Sequence, residues 1–290
     1  MPTESSPISD RLLTFASTGS RAEQEDAAVC LSNPKAGTAL VVVCDGVGGS
    51  SDGGAASQVA VQQAALFWKQ QGEMLPHPAE NLSSLVRQIH DRIRNEGESR
   101  NISPRTTMVA LYLDPQGGYW AHSGDSRLYH FRKGLLLTRT RDHSVVEILV
   151  QQGAVQEKEM GSHPDQGRLL QSLGGPDYKQ PAQGSAETTP DDAFLLCTDG
   201  FWERTKSGEM AKILYSPRCQ SVSLLQQAVE RAARRNGSKS DNLTVAIALP
   251  QRESSTRPQG NVAMIAFYLL FAIVVILLIG WFLFFGGAHH

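Results

Sequence analysis

The chain lacks the marks of a nucleic-acid binder and of a disulfide-stapled secreted domain. Its 27 Lys and Arg against 29 Asp and Glu leave a formal charge of −2, without the basic surplus that a phosphate backbone attracts. Four cysteines (Cys30, Cys44, Cys197, Cys219) show no C-x-x-C spacing, which disfavours zinc and disulfide roles. Cys44 and Cys197 sit inside apolar runs, where a thiol behaves as a small hydrophobe, and a reducing compartment suits them. Met1 to Arg11 is polar and has no apolar core of a secretory signal. No internal repeat or low-complexity tract interrupts the sequence.

What is present is apolar material, 41 % of the residues, enough for a large core. Part of it is concentrated near the end: Val262 to Phe285 carries no charge. At ~1.5 Å per residue such a helix is longer than the ~30 Å hydrocarbon core of a bilayer. The expected organisation is one domain over 8–250, a polar linker over 251–260, a transmembrane helix over 261–285 and a short tail over 286–290. Tyr268 and Trp281 suit interfacial positions. Arg252 and Arg257 precede the apolar stretch and no Lys or Arg follows it. The positive-inside rule therefore predicts a single-pass, tail-anchored protein with its large domain on the cytoplasmic side.

Within the domain, apolar runs at Leu12 to Ser17, Ala27 to Leu31 and Ala39 to Cys44 read as strands. A glycine-rich loop over 48–54 precedes two helices, up to Phe67 and over 79–99. Strands then cluster at 106–113, 118–123 and 127–132, with a helix over 145–152. Residues 153–173 are mixed in character and are expected to be mobile. A strand at 193–197, helices at 208–215 and 223–236 and a strand at 243–249 close the domain. Strands and helices grouped in this way indicate an α+β fold.

Two of the most apolar strands stop at Asp-Gly, at Asp45-Gly46 and Asp199-Gly200. A carboxylate at the end of a buried strand is costly unless a cation or donors satisfy it. Asp125 in Gly-Asp-Ser-Arg, Asp241 in Ser-Asp-Asn and Asp26 after Glu25 also fall at strand edges or turns. Singly, each has a plain reading as a turn, cap or solvated charge. Together they predict one acidic pocket built from distant segments. Carboxylates and a backbone carbonyl are hard oxygen ligands that suit Mg²⁺ or Mn²⁺. A pair of such ions can hold a hydroxide for in-line attack on phosphorus, with an Arg seating the phosphoryl oxygens.

The order of these blocks resembles the metal-dependent Ser/Thr protein phosphatases of type 2C in their compact bacterial form. The matching blocks are Ser20 to Asp26, Cys44 to Gly49, Thr106-Thr107, Ala121 to Arg127, Thr140 to Ser144, Leu173-Gly174, Thr198 to Gly200 and Ser240 to Asn242. The resemblance covers the domain of about 240 residues. It implies a central antiparallel β-sandwich flanked by α-helices on both faces, with the metals at one end. It places Asp45, Asp199 and Asp241 on one Mn²⁺ or Mg²⁺ ion. Asp45 and the Gly46 carbonyl would hold a second, with Asp26 direct or through water. Asp125 with Asp199 would serve a weaker third. Arg21 would bind the substrate phosphate, Asn242 would support Asp241, and residues 145–173 would form a flap. His143 would order the segment before the flap, and His122 belongs to the core.

The implied activity is hydrolysis of phosphoserine and phosphothreonine in phosphoproteins, substrates of a Ser/Thr kinase, at the membrane. The alternative is a weakly active phosphoprotein-binding or scaffold module of the same fold. The chain departs from the family pattern at Gln24 (usually Asn), Val47 (His in many eukaryotic members), Gly54 (usually Glu) and Arg105 (commonly Gly). None of these is an implied metal ligand.

Overall fold

A computed structural model describes residues 5–9, 11–48, 52–176, 178–236 and 240–251. The strands, in chain order, are β1 (Ser5–Ser9), β2 (Leu12–Ser17), β3 (Ala27–Asn33), β4 (Thr38–Cys44), β5 (Gly46–Val47), β6 (Arg105–Thr106) and β7 (Met108–Leu113). They continue with β8 (Gly117–Ser123), β9 (Arg127–Arg132), β10 (Leu135–Arg139), β11 (Ala182–Glu187), β12 (Asp192–Cys197) and β13 (Leu243–Ala248). The helices are α1 (Asp52–Gln70), α2 (Pro78–Arg100), α3 (Val145–Gln151), α4 (Asp199–Trp202), α5 (Ser207–Leu214) and α6 (Arg218–Asn236). A 3₁₀ turn spans Glu157–Ser162.

Two antiparallel sheets face each other. One has the order β1-β2-β13-β12-β9-β10, the other β11-β8-β7-β4-β3. Every residue of β4 and of β12 is buried, and the strand period of two decides against what. Ala39, Val41 and Val43 meet Phe194, Leu196 and Ala246 between the sheets. Leu40, Val42 and Cys44 turn outward onto Ala60, Phe67, Leu85 and Ile89 of α1 and α2. Leu195 and Cys197 turn the other way, onto Met210 of α5 and Leu225 and Val229 of α6. The expected sandwich with helices on both outer faces is what forms. Cys30, Cys44 and Cys197 are buried free thiols.

Local signals explain the helix ends. Pro78 opens α2, where its missing N–H costs nothing, and Asn101 ends it in the left-handed conformation. Ser144 caps α3 by accepting from the Glu147 N–H at 3.3 Å.

Several elements differ from the sequence reading. The glycine-rich loop is shorter, because α1 already begins at Asp52. The strand expected over 106–113 is two, broken at Thr107, so that Arg105–Thr106 pairs with Gly46–Val47 and the remainder joins the main sheet. Residues 153–173 hold the 3₁₀ turn and two isolated bridges, Ser144 to Leu169 and Thr106 to Leu173. The linker beyond Gln251 and the apolar stretch 261–285 lie outside the described residues. Among those described, no helix is long and apolar enough to cross a membrane.

Candidate active site

Strand register brings the acidic residues together. Ala27 pairs with Cys44 at one end of the β3–β4 ladder, so Asp26 and Asp45 flank the same cross-strand pair. In the other sheet Cys197 pairs with Val245, which sets Asp199 beside the segment that carries Asp241. Asp125 sits in the turn between β8 and β9, whose Arg127 is opposite Cys197. All five aspartates therefore gather at one end of the sandwich.

Each Asp-Gly pair has its own packing cause. Neither Gly46 nor Gly200 is among the residues with positive φ, so neither is there to make a tight turn. A Cβ on Gly46 would collide with the carbonyl of Gly53, and one on Gly200 with the carbonyl of Asn242. The glycines allow backbone to pass against backbone next to each aspartate.

The carboxyls perturb one another in a dry site. Burial pushes Asp26 up to about 8, with Asp199 and Asp241 adding to it and the Thr198 hydroxyl opposing. Burial lifts Asp45 well above the ordinary carboxylate range, helped by Asp26, Asp199, Asp125 and Asp241. Asp125 is raised by burial and by Asp199. Asp199 is raised by burial and Asp241, against hydrogen bonds from the Asp45 carboxyl and Gln166. Crowded, desolvated carboxyls of this kind are held in the charged form only by added positive charge.

The surrounding bonds fix their positions. The Thr198 hydroxyl donates to Asp26 Oδ2 at 2.8 Å. Thr106 Oγ1 donates to the Asp45 carbonyl at 2.8 Å, and Thr107 Oγ1 accepts from the Asp45 N–H at 3.1 Å. Arg21 donates to Asp241 Oδ2 at 2.8 Å from an exposed position. Asn242 supports Asp241 through its backbone N–H, which reaches Oδ1 at 2.8 Å. Its side chain does something else: it accepts from the Glu25 N–H at 2.7 Å and donates to the Thr18 and Glu23 carbonyls. The segment that carries Arg21 and Asp26 is thereby tied to the one that carries Asp241. His143 Nδ1 accepts from the Gly124 N–H at 3.1 Å, and its ring stacks on His122.

Three contributors had gone unassigned. Thr198 precedes Asp199, but its sequence neighbours gave no sign of its bond to Asp26. Gln166 sits in a stretch without periodicity, and its amide reaches Asp199 Oδ2 at 3.4 Å. Glu203, pushed up to about 8 by burial and by Asp199, follows Asp199 by four residues, a helical spacing that a closer reading could have used.

The donor set fits a hard divalent cation. It is all oxygen, and one exposed guanidinium is the only cation hydrogen-bonded to any of the five aspartates among the described residues. Among the described residues, no three His, Cys, Asp or Glu side chains already converge closely enough to close around one ion. The fit therefore rests on donor chemistry and charge.

A sandwich with crowded carboxyls gathered at one end suits a metal-dependent hydrolase, and comparison with known proteins gives the family. The protein phosphatase 2C family model matches residues 19–243, and the chain belongs to that family. The serine/threonine phosphatase stp of Listeria monocytogenes is 30% identical over 188 residues, 63% of this chain and 74% of the relative. The solved Mycobacterium tuberculosis serine/threonine phosphatase PstP/Ppp superposes with a TM-score of 0.70 at 26% identity, covering 83% of this chain and 99% of that one. A PstP catalytic domain in complex with two manganese ions gives 0.69 at 26%, with coverages of 82% and 97%. The family's members are metal-dependent Ser/Thr protein phosphatases that use Mn²⁺ or Mg²⁺.

Proposed function

We propose that this chain is a membrane-tethered phosphoprotein phosphatase whose domain spans residues 8–250 and faces the cytoplasm. The observation that carries the catalytic part is the gathering of Asp26, Asp45, Asp125, Asp199 and Asp241 at one end of the sandwich, each of the first four with its carboxyl raised. Asp45, Asp199 and Asp241 would hold one Mn²⁺ or Mg²⁺ ion, and Asp45, the Gly46 carbonyl and Asp26 a second. Asp125 and Asp199 would serve a weaker third. When bound, the ions supply Lewis-acid neutralisation and a water acidified for attack at neutral pH.

The chain's own residues do the rest. The Arg21 guanidinium is exposed and, among the described residues, is paired only with the carboxylate of Asp241, so its planar fork is placed to seat a phosphoryl group. Thr198 keeps the Asp26 carboxyl aimed inward, and Asn242 keeps the Arg21 segment in register with Asp241. Gln166, from the segment beside the site, steadies Asp199.

The tether rests on the uncharged stretch Val262 to Phe285. Its substrates would be phosphoproteins made by a Ser/Thr kinase at the same membrane. Release of phosphate from a phosphothreonine peptide by the full chain, with and without Mn²⁺ and beside Asp199→Asn, tests the reading. Metal-dependent release that disappears in the variant supports it. No release from folded, Mn²⁺-loaded protein would favour a phosphoprotein-binding module instead. Resistance of the protein to alkaline extraction from membranes, lost on deletion of 261–285, tests the tether.

A further inference from the structure

Arg105, like the exposed Arg141, differs from the other arginines near the site. Arg21, Arg127, Arg139 and Arg168 each pair with a carboxylate. Arg105 is exposed, and among the described residues its guanidinium has neither a hydrogen bond nor an ion pair. It occupies β6, where its cross-strand partner is Val47, while its neighbour Thr106 pairs with Gly46. Thr106 points inward and donates to the Asp45 carbonyl. Strand alternation sends Arg105 the other way, outward to solvent.

There it lines a cleft of about 300 Å³ with Arg94, Glu98, Ser103, Gly174 and Gly175. The floor is firmly built. Thr106 and Leu173 exchange backbone hydrogen bonds at 3.1 and 2.8 Å. The Gly174 N–H donates to His90 Nδ1 at 3.3 Å, and Gly174 adopts a φ of +85° against the Pro104 carbonyl. The Arg105 guanidinium lies over Gly175, 3.9 Å from where a Cβ would stand. Arg94 is already neutralised by Glu98 at 3.0 Å. The cleft thus holds one uncompensated positive charge, fixed on a short ladder whose other strand begins right after Asp45.

We propose that Arg105 is a specificity residue that selects phosphoprotein substrates with an acidic side chain near the phosphorylated one. An extended peptide advances ~3.3 Å per residue, and cross-strand neighbours lie ~5 Å apart. For a phosphoresidue seated beside Asp45, the contact then falls about two to three residues away along this ladder. A carboxylate there meets the guanidinium in bidentate geometry. This inference rests on the phosphatase reading above.

The test compares two phosphothreonine peptides, one with Glu and one with Gln at the second and third positions on both sides. The full chain is assayed with Mn²⁺, as wild type, Arg105→Gly and Arg105→Glu, with p-nitrophenyl phosphate as a substrate that cannot reach the cleft. The wild type is expected to favour the acidic peptide about fivefold in kcat/KM, carried by KM, and less so at high salt. Arg105→Gly should abolish the preference and Arg105→Glu should reverse it, both leaving p-nitrophenyl phosphate turnover unchanged. Equal use of the two peptides by the wild type, or variants that slow both peptides alike, would overturn the proposal. Fluorescence anisotropy of the same peptides reads the Arg105 contact independently of turnover. An enzyme that hydrolyses neither peptide nor p-nitrophenyl phosphate would instead count against the phosphatase reading.

Discussion

Arg127 grips Asp142 with two hydrogen bonds, Nε to Oδ1 at 2.8 Å and Nη2 to Oδ2 at 2.6 Å, and the pair is almost wholly buried. The guanidinium also lies 3.3 Å from the Trp202 ring centroid, and the Trp202 indole N–H donates to the Asp125 carbonyl at 3.0 Å. One arginine thus locks together the turn that carries Asp125, the segment before α3 and the short helix begun by Asp199. Truncating one member of such a pair leaves the other charge buried and alone. Arg127→Ala is expected to cost about 3–5 kcal/mol in urea unfolding. Arg127→Lys should recover only part of that, because Lys cannot make the fork.

The raised carboxyls make a prediction of opposite sign. Asp26, with its folded pKa at about 8 against an ordinary 3.8, binds more protons folded than unfolded between those values. Its contribution is favourable at low pH and is lost as pH rises from about 4 to 8. With metal chelated, Asp26→Asn should therefore unfold later than wild type at pH 8, by about 1–3 kcal/mol, with little difference at pH 4. The amide oxygen can still accept from Thr198. Phosphatase activity should fall in the same variant, and a destabilised Asp26→Asn at pH 8 would contradict the account.

His143 is pushed down to about 4, by burial first and by His122 second. Its neutral Nδ1 is the acceptor for the Gly124 N–H, so protonation removes a bond beside Asp125. Between about 6.5 and 4 the unfolded chain binds the extra proton, and stability falls as pH falls through that window. His143→Phe keeps the stacking but cannot titrate. It should lower stability at pH 7 and flatten the loss between pH 6.5 and 4, as read from urea midpoints.

Gly46→Ala and Gly200→Ala each place a Cβ into a carbonyl of a packed neighbour. Both should destabilise by about 2–4 kcal/mol and reduce Mn²⁺-dependent turnover. Gly134→Ala is the control for glycine loss in general: its Cβ would meet nothing, although its φ of +80° adds modest strain. Its effect should be smaller, and confined to stability.

Much of this was legible in the chain. Thr38–Cys44 and Asp192–Cys197 are apolar on both faces because each is covered by a sheet on one side and helices on the other, and such runs read as strands. Asp45 and Asp199 stood out because carboxylates that close buried strands are anomalous, whereas Asp26, Asp125 and Asp241, at edges and turns, signalled a pocket only jointly with them. Other elements gave no such signal. Ala182–Glu187 alternates small residues with polar ones, and Leu135–Arg139 is a sheet edge whose leucines are exposed. The start of α1 lay hidden among glycines, since Gly53 must pass against Gly46. Gln166 belongs to a stretch whose order comes from tertiary bridges, which local pattern does not encode.

The most direct test of the central claim is Mn²⁺ binding to the full chain, followed by electron paramagnetic resonance of the free ion at pH 7. The account predicts more than one bound Mn²⁺ per chain, with sites lost in Asp45→Asn and Asp199→Asn while circular dichroism stays unchanged. Equal Mn²⁺ binding by wild type and both variants would contradict it.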